Sequence, residues 1–189
     1  MSAAPETGGG AARDPLAGGT SAADVVGKLT SRGQTLAAAE SLTAGLFCAT
    51  VAGVPGASAV LRGGLVTYAT DLKASLADVP GAVLEAHGPV AAETAHAMAE
   101  GARRRCASDW SVALTGVAGP DPQDGHDVGE VWCAIGCPPA HGAGAGAKGA
   151  GEPRIVVERL DLDPAAGRWG IRTGAVAGAL ELLAREMDA

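Results

Sequence analysis

Apolar residues along the chain alternate between short continuous runs, typical of buried strands, and longer runs with helical spacing. The first helix, about 23–31, carries Val25, Val26 and Leu29 at helical spacing. Further helices are predicted at about 42–52, 71–77, 81–86, 91–106 and 164–187, and strands at 34–39, 60–68, 110–114, 128–135 and 154–160. Because strands and helices alternate and the last two strands form a hairpin, we predict an α/β domain with a mixed, mostly parallel sheet.

The pattern also predicts where the folded domain begins and where it is interrupted. Residues 1–20 are rich in Gly, Ala and Pro and lack periodicity, which is typical of a disordered leader. One domain is expected over residues 21–189. Within it, residues 136–153 have low complexity and indicate a flexible insert at the tip of the late hairpin.

Composition excludes several classes of function. The formal net charge of −7 argues against a general nucleic-acid binder, which carries a basic stripe. The four cysteines do not have metal-ligand spacing, and we expect neither a metal nor a cofactor. No apolar run approaches the roughly 18–20 residues that span a bilayer, and no signal peptide is recognisable. We therefore expect a cytoplasmic protein with reduced thiols and no membrane partner.

Ser41 lies at the switch from a predicted strand into a predicted helix. A serine there has a rigid mount, and the helix that follows offers free amides and the positive end of its dipole. Serine is also a preferred N-cap residue, and most serines that precede helices have only that structural role.

Tyr68 and Lys73 follow the next predicted strand. The carboxyl ends of strands in open α/β sheets share one rim, so we expect both residues near Ser41. A serine with a neighbouring lysine can act as a nucleophile without histidine, provided that burial lowers the lysine pKa from about 10.4 toward about 7–8. In the structural alternative, Tyr68 is a half-buried strand aromatic and Lys73 is solvated.

Two further places offer ligand contacts. The turn at 115–120 contains Thr115, Gly116 and Gly119, and its small residues let backbone amides approach a ligand. It is equally consistent with a tight turn alone. Arg168 and Arg172 share one face of the last helix, where they either clamp a phosphate or face solvent.

Six short motifs in register resemble one known family. They are AESLTAG at 39–45, VPGAS at 54–58, VTYATDLK at 66–73, HGPV at 87–90, ALTGVAGP at 113–120 and VGEV at 128–131. The chain resembles, over residues 22–186, the C-terminal domain of CinA and its stand-alone form, the nicotinamide-nucleotide amidases. The resemblance implies a three-layer α/β/α fold. It also implies hydrolysis of nicotinamide mononucleotide to nicotinic acid mononucleotide and ammonia, without a cofactor.

The resemblance also assigns roles to residues. Catalytic roles fall on Ser41 as nucleophile, Lys73 as general base and Tyr68 as its partner. Substrate-binding roles are expected for Thr43, Gly45, Thr115, Gly116, Gly119, Arg168 and Arg172, with amides near the start of the helix or at 115–116 stabilising the oxyanion.

Two departures from the family pattern bear on the site. Ala44 stands where the family often has glycine, a change that the first turn of a helix should tolerate. The loop at 121–127 lacks the glycine-rich, lysine-bearing form common in the family.

The sequence leaves two rival functions open. The same pocket could sense a pyridine nucleotide without turnover, or it could hydrolyse another small amide or ester. The partner in each case is a small molecule, and homo-oligomerisation is left open.

Overall fold

Five strands form one sheet in the order β2-β1-β3-β4-β5. The structure is a computed structural model that describes residues 16–139 and 153–189. The strands are β1 (Leu36–Glu40), β2 (Leu61–Val66), β3 (Trp110–Gly116), β4 (Glu130–Gly136) and β5 (Ile155–Asp161). The helices are α1 (Ala22–Arg32), α2 (Leu46–Ala52), α3 (Thr70–Ala77), α4 (Gly81–His87), α5 (Ala92–Cys106) and α6 (Gly167–Asp188), with short 3₁₀ turns at Ala57–Ala59 and Pro164–Ala166.

Strand β1 lies inside the sheet and is buried along its whole length. It pairs in parallel with both β2 and β3, while β4 runs antiparallel to β3 and to β5. Only β4 therefore runs against the other strands of the described sheet. The prediction of a mixed, mostly parallel sheet is confirmed.

Helices cover the sheet on both faces. Helices α1, α2 and α6 pack on one face around a hydrophobic core that includes Leu36, Phe47 and Leu180. On the other face, α5 packs on β1, β3 and β4, with α3 and α4 packed against α5. The core there is rich in alanine. The implied three-layer α/β/α arrangement is confirmed.

Close contact between α3 and α5 fixes the position of α3. A Cβ added at Gly101 of α5 would overlap the carbonyl oxygen of Ala77 in α3, so the two helices meet at their backbones. Lys73 lies one turn before Ala77 and therefore on the same face of α3. The contact accordingly presses the lysine toward the interior.

Two predicted boundaries differ from the structure. The helix expected at 42–52 begins only at Leu46, and residues 41–45 form a turn instead. Residues 16–20, expected in the disordered leader, form a turn whose Leu16 packs against the core. The rest of that leader, and residues 140–152 of the predicted hairpin insert, lie outside the described residues.

Candidate active site

A pocket of about 100 Å³ lies at the carboxyl ends of the parallel strands. Ser41 follows β1, Tyr68 follows β2, and Thr115 is the penultimate residue of β3. These three residues line the pocket together with Lys73 and Arg168. The expectation that Ser41, Tyr68 and Lys73 share one rim is therefore met by the geometry.

Ser41 is fixed through its backbone while its hydroxyl lacks a partner. Its N–H donates to the carbonyl of Leu114 (2.9 Å), and its own carbonyl accepts from Ala44 (3.1 Å). The residue is 9% exposed and lines the pocket. Within residues 16–139 and 153–189, no side chain or backbone group bonds the Ser41 hydroxyl. The side chain is thus mounted rigidly and available for chemistry.

The alternative reading of Ser41 as a helix cap is wrong, because α2 begins at Leu46 and Gly45 occupies its N-cap position. The group that caps this helix is Glu40, which is 1% exposed. Its Oε2 accepts from the N–H groups of Gly45 (2.9 Å) and Phe47 (3.0 Å), and its Oε1 accepts from Cys48 (3.0 Å). The dipole and free amides expected beside Ser41 are therefore occupied by this carboxylate.

The structure also explains the departure at Ala44. Its φ is +51°, in the left-handed region, and Gly45 follows at +93°. Position 44 therefore does not lie in the first turn of a helix, as the sequence suggests. A left-handed backbone costs a residue with a Cβ roughly 1–2 kcal/mol, which accounts for the glycine common in the family at this position.

Lys73 is buried deep in the pocket wall and is 2% exposed. Its Nζ donates to Thr115 Oγ1 (3.2 Å) and lies 3.9 Å from Met98 Sδ. Among the described residues no carboxylate compensates the charge, so burial alone lowers the pKa of Lys73 to about 8. The structural alternative of a solvated lysine is excluded.

Thr115 links the lysine to the backbone. Its hydroxyl accepts from Lys73 and donates to the carbonyl of Pro89 (2.7 Å). With its own proton committed to Pro89, the hydroxyl can only accept from the lysine. Thr115 therefore orients Lys73 whether or not the amine is protonated.

Tyr68 and Arg168 meet at the mouth of the pocket. One Arg168 nitrogen donates to Tyr68 Oη (2.8 Å), and another donates to the carbonyl of Gly119 (2.6 Å). Tyr68 is 56% exposed and bonds Arg168 rather than Lys73. The mouth thus carries a guanidinium and a phenol at the solvent edge.

The remaining predicted substrate-binding residues fall into two groups. Gly116 and Gly119 line the pocket, and each approaches a neighbouring segment too closely for a side chain. Thr43, Gly45 and Arg172 are outside the pocket lining. Thr43 is fully buried and its hydroxyl has no partner among the described residues, while Arg172 donates to the carbonyls of residues 42 and 43.

Several backbone amides of the pocket lining are available to a ligand. The N–H groups of Leu42, Ala118 and Gly119 donate to no acceptor in the described part of the chain. All three residues line the pocket. Amides without an acceptor can stabilise an oxyanion. The Gly45 amide cannot, because it already donates to Glu40.

Neither a metal site nor a membrane span is found among the described residues. They contain no group of three or more His, Cys, Asp or Glu side chains placed to hold a metal ion. In the same residues, no helix combines the length and the apolar character that crossing a membrane requires.

Comparison with known proteins identifies the family. The CinA C-terminal domain profile matches residues 19–187. A competence-damage inducible protein of Streptococcus pneumoniae is 52% identical over 111 residues, which are 59% of this chain and 27% of that protein. A relative described in the same words from Listeria welshimeri is 48% identical over the same length. This chain thus matches about a quarter of the length of these curated relatives.

Solved structures agree with the profile. The competence/damage inducible protein CihA of Agrobacterium tumefaciens superposes with a TM-score of 0.76 at 30% identity, over 89% of this chain and 93% of that chain. A CinA superfamily protein of Klebsiella pneumoniae shares the fold, with a TM-score of 0.77 at 24% identity, over 88% and 95%. The chain belongs to the CinA C-terminal domain family.

Proposed function

We propose that this protein is an amidohydrolase that converts nicotinamide mononucleotide to nicotinic acid mononucleotide and ammonia. Ser41 is the nucleophile and Lys73 is the general base. The observation that carries the proposal is that one pocket holds a buried lysine and a serine hydroxyl, and that within the described residues the lysine has no carboxylate partner and the hydroxyl has no hydrogen bond. A lysine whose pKa burial lowers to about 8 can serve as the base that a Ser–Lys mechanism requires.

In the first half of the reaction, Ser41 Oγ attacks the carboxamide carbon while Lys73 Nζ takes the hydroxyl proton. The negative charge that develops on the carboxamide oxygen is stabilised by free amides of the pocket, with Leu42 the best placed because it follows the nucleophile. Collapse of the tetrahedral intermediate breaks the C–N bond. Lys73 returns its proton to the leaving nitrogen, which departs as ammonia.

In the second half, water attacks the carbon of the acyl-enzyme. Lys73 takes a proton from the water and then gives it to Ser41 Oγ as the ester bond breaks. The product acid releases its remaining proton to solvent and leaves as a carboxylate, and both residues return to their starting states. One lysine thus serves both halves of the cycle, with Thr115 holding it in place.

The mouth of the pocket supports a substrate with an anionic group. Arg168 presents its guanidinium there, and among the described residues it bonds only the Tyr68 hydroxyl and the Gly119 carbonyl. A phosphate offers stronger, charge-assisted bonds than either of these acceptors. We therefore assign the phosphate of the nucleotide to Arg168 and the carboxamide to the interior near Ser41.

The activity should rise with pH. Below about pH 8 Lys73 is protonated and cannot accept the serine proton, and above it the amine is neutral. We expect kcat/KM for ammonia release to increase about tenfold per pH unit below that value and to level off above it. A profile from pH 6 to 10 measures this, with circular dichroism at each pH as the control for folding. A profile that is flat across pH 7–9 would contradict the assignment of Lys73 as base.

Replacing Arg168 with methionine should weaken substrate binding. Loss of a charge-assisted contact costs about 1.5–3 kcal/mol, so we expect KM for nicotinamide mononucleotide to rise about 10- to 100-fold. Nicotinamide riboside, which lacks the phosphate, should show little change. Arg185→Met, at the exposed far end of the same helix, is the matched control. An equal loss with both substrates would contradict the phosphate assignment.

A nucleotide-sensing module is the rival class of function, and a paired measurement separates it from an enzyme. Calorimetry measures binding of nicotinamide mononucleotide, and mass spectrometry follows the nucleotide over the same hours. Binding with conversion to the acid supports the amidase. Saturable binding with an unchanged nucleotide would favour sensing.

A further inference from the structure

The turn at 41–45 is bonded by two side chains from separate elements, and neither side chain lines the pocket. One is the Glu40 side chain at the end of β1, and the other is Arg172 in α6. Neither side chain itself lines the pocket, so the proposed chemistry assigns them no role. Both nevertheless bond the segment that contains or directly follows the nucleophile.

Glu40 joins the end of β1 to the start of α2. Its backbone is fixed in the sheet, where its carbonyl accepts from Thr67 (2.8 Å). Its carboxylate spans the turn and binds the three amides of Gly45, Phe47 and Cys48. Charge-assisted bonds to a buried carboxylate are strong, and loss of the charge leaves buried N–H groups poorly paired. The two ends of the turn are therefore held at a fixed separation.

Arg172 fixes the middle of the turn. Its Nε donates to the carbonyl of Leu42 (3.0 Å) and another of its nitrogens donates to the carbonyl of Thr43 (2.8 Å). The guanidinium also lies 5.7 Å from the Trp169 ring, in the range of a cation–π contact. A planar fork that binds two successive carbonyls fixes the orientation of two peptide planes, which a single ammonium does not do.

We propose that Glu40 and Arg172 are positioning residues that hold the turn at 41–45 rigid, so that the Ser41 hydroxyl and the Leu42 amide stay in their reactive geometry. This rests on the proposed function. The Ser41 carbonyl accepts from Ala44, and the C=O and N–H of a trans peptide point in opposite directions. The same bond therefore directs the Leu42 N–H away from Ala44. If the turn becomes more mobile, both the orientation of the Leu42 N–H and the position of the Ser41 hydroxyl are lost.

The role differs from the substrate contact expected for Arg172 from the sequence, and the two give different kinetics. A substrate contact acts on KM. A positioning residue acts on kcat, because an error of about 1 Å in the nucleophile can cost roughly 100-fold in rate.

The test uses Glu40→Gln, which keeps the size of the side chain but removes its charge, and Arg172→Lys, which keeps the charge but removes the fork. Val51→Ala is the control, because it opens a cavity in α2 without touching the turn. Four quantities are measured: kcat and KM for nicotinamide mononucleotide, the melting temperature, and the rate at which Ser41 reacts with a fluorophosphonate, followed by intact mass. In that reaction Ser41 Oγ displaces fluoride from phosphorus.

We expect kcat and the labelling rate to fall together about 10- to 100-fold in both turn variants, with KM changed less than about threefold. The control should lose melting temperature and keep its labelling rate. Parental labelling rates in folded Glu40→Gln and Arg172→Lys would overturn the proposal. So would a raised KM with unchanged kcat in Arg172→Lys. If the Glu40→Gln variant does not fold, the Arg172→Lys variant alone tests the proposal.

Failure of the proposed function gives a different pattern. If the parent reacts with fluorophosphonate but releases no ammonia from the nucleotide, the substrate assignment is wrong, and the labelling rates still test the positioning role. If Ser41 of the folded parent does not react, the nucleophile assignment fails and the positioning role fails with it.

Discussion

Replacing Lys73 with methionine is expected to abolish amide hydrolysis and, in the same protein, to increase the free energy of unfolding. Methionine has nearly the length of lysine and would lie beside Met98, but it cannot take a proton. Activity should fall to the background of the assay. Stability should rise because the folded protein no longer buries an ammonium without a counter-ion.

The expected gain in stability follows from the pKa of Lys73. Folding lowers it from 10.5 to about 8, and each pKa unit corresponds to about 1.4 kcal/mol. Below pH 8 the lysine is protonated in both states and costs the folded state about 3 kcal/mol. The cost shrinks between pH 8 and 10.5 and vanishes above. For a domain of this size, the melting temperature at pH 7 should rise by about 5–10 °C.

Calorimetric melting at pH 7 and pH 10, together with an ammonia assay, checks both halves of this prediction. Lys28→Met is the control, because Lys28 lies on α1 in surface ion pairs with Asp24 and Asp188. That change should leave turnover intact and should not stabilise the protein. A Lys73→Met variant that keeps its activity, or that melts at a lower temperature than the parent at pH 7, would contradict the account of Lys73.

Replacing Ser41 with alanine should remove the nucleophile and leave binding intact. We expect ammonia release to fall by about 10⁴-fold or more, as for catalytic serines in other hydrolases. The Kd for nicotinamide mononucleotide should change less than about threefold, since the hydroxyl makes no bond in the described structure that its loss would break. Turnover is measured as ammonia, and binding by calorimetry on the same preparation.

Ser75→Ala is the matched control for this change. Ser75 lies on the exposed side of α3 and its hydroxyl bonds only the carbonyl of Asp71 within its own helix. Its removal should leave turnover unchanged. Near-parental activity in Ser41→Ala would reject the covalent mechanism, whereas loss of both binding and turnover would indicate that the change damages the pocket.

The sequence predicted the order and type of the elements because the apolar periodicities are local and strong. Strand β1, for example, reads as an apolar run because it is buried on both faces of a parallel sheet. The carboxyl ends of parallel strands lie along one edge of the sheet. That rule was sufficient to predict that Ser41, Tyr68 and Lys73 lie close together.

The burial of Lys73 could not be predicted from its neighbours in sequence. It depends on Gly101, 28 positions further along the chain, which lets α3 and α5 meet at their backbones. A lysine on a short helix is by default solvated, and only this tertiary contact overrides the default.

The main error of local prediction was the helix expected directly after Ser41, where the structure has a turn. A run of helix-forming residues after a strand indicated a helix from residue 42, but Glu40 binds the amides of a helix that starts at Leu46. The available signal was a glutamate at the end of an otherwise apolar buried strand, since a buried carboxylate requires donors. The contacts of Arg172 with residues 42 and 43 span about 130 positions and leave no such signal in the sequence.

The most direct test of the central claim is quantification of ammonia and nicotinic acid mononucleotide in one reaction of the parent protein with nicotinamide mononucleotide, beside Ser41→Ala. The account predicts equimolar formation of the two products by the parent, continuing over many turnovers, and neither product from the variant. A folded parent that forms neither product would contradict it, as would equal formation by both proteins.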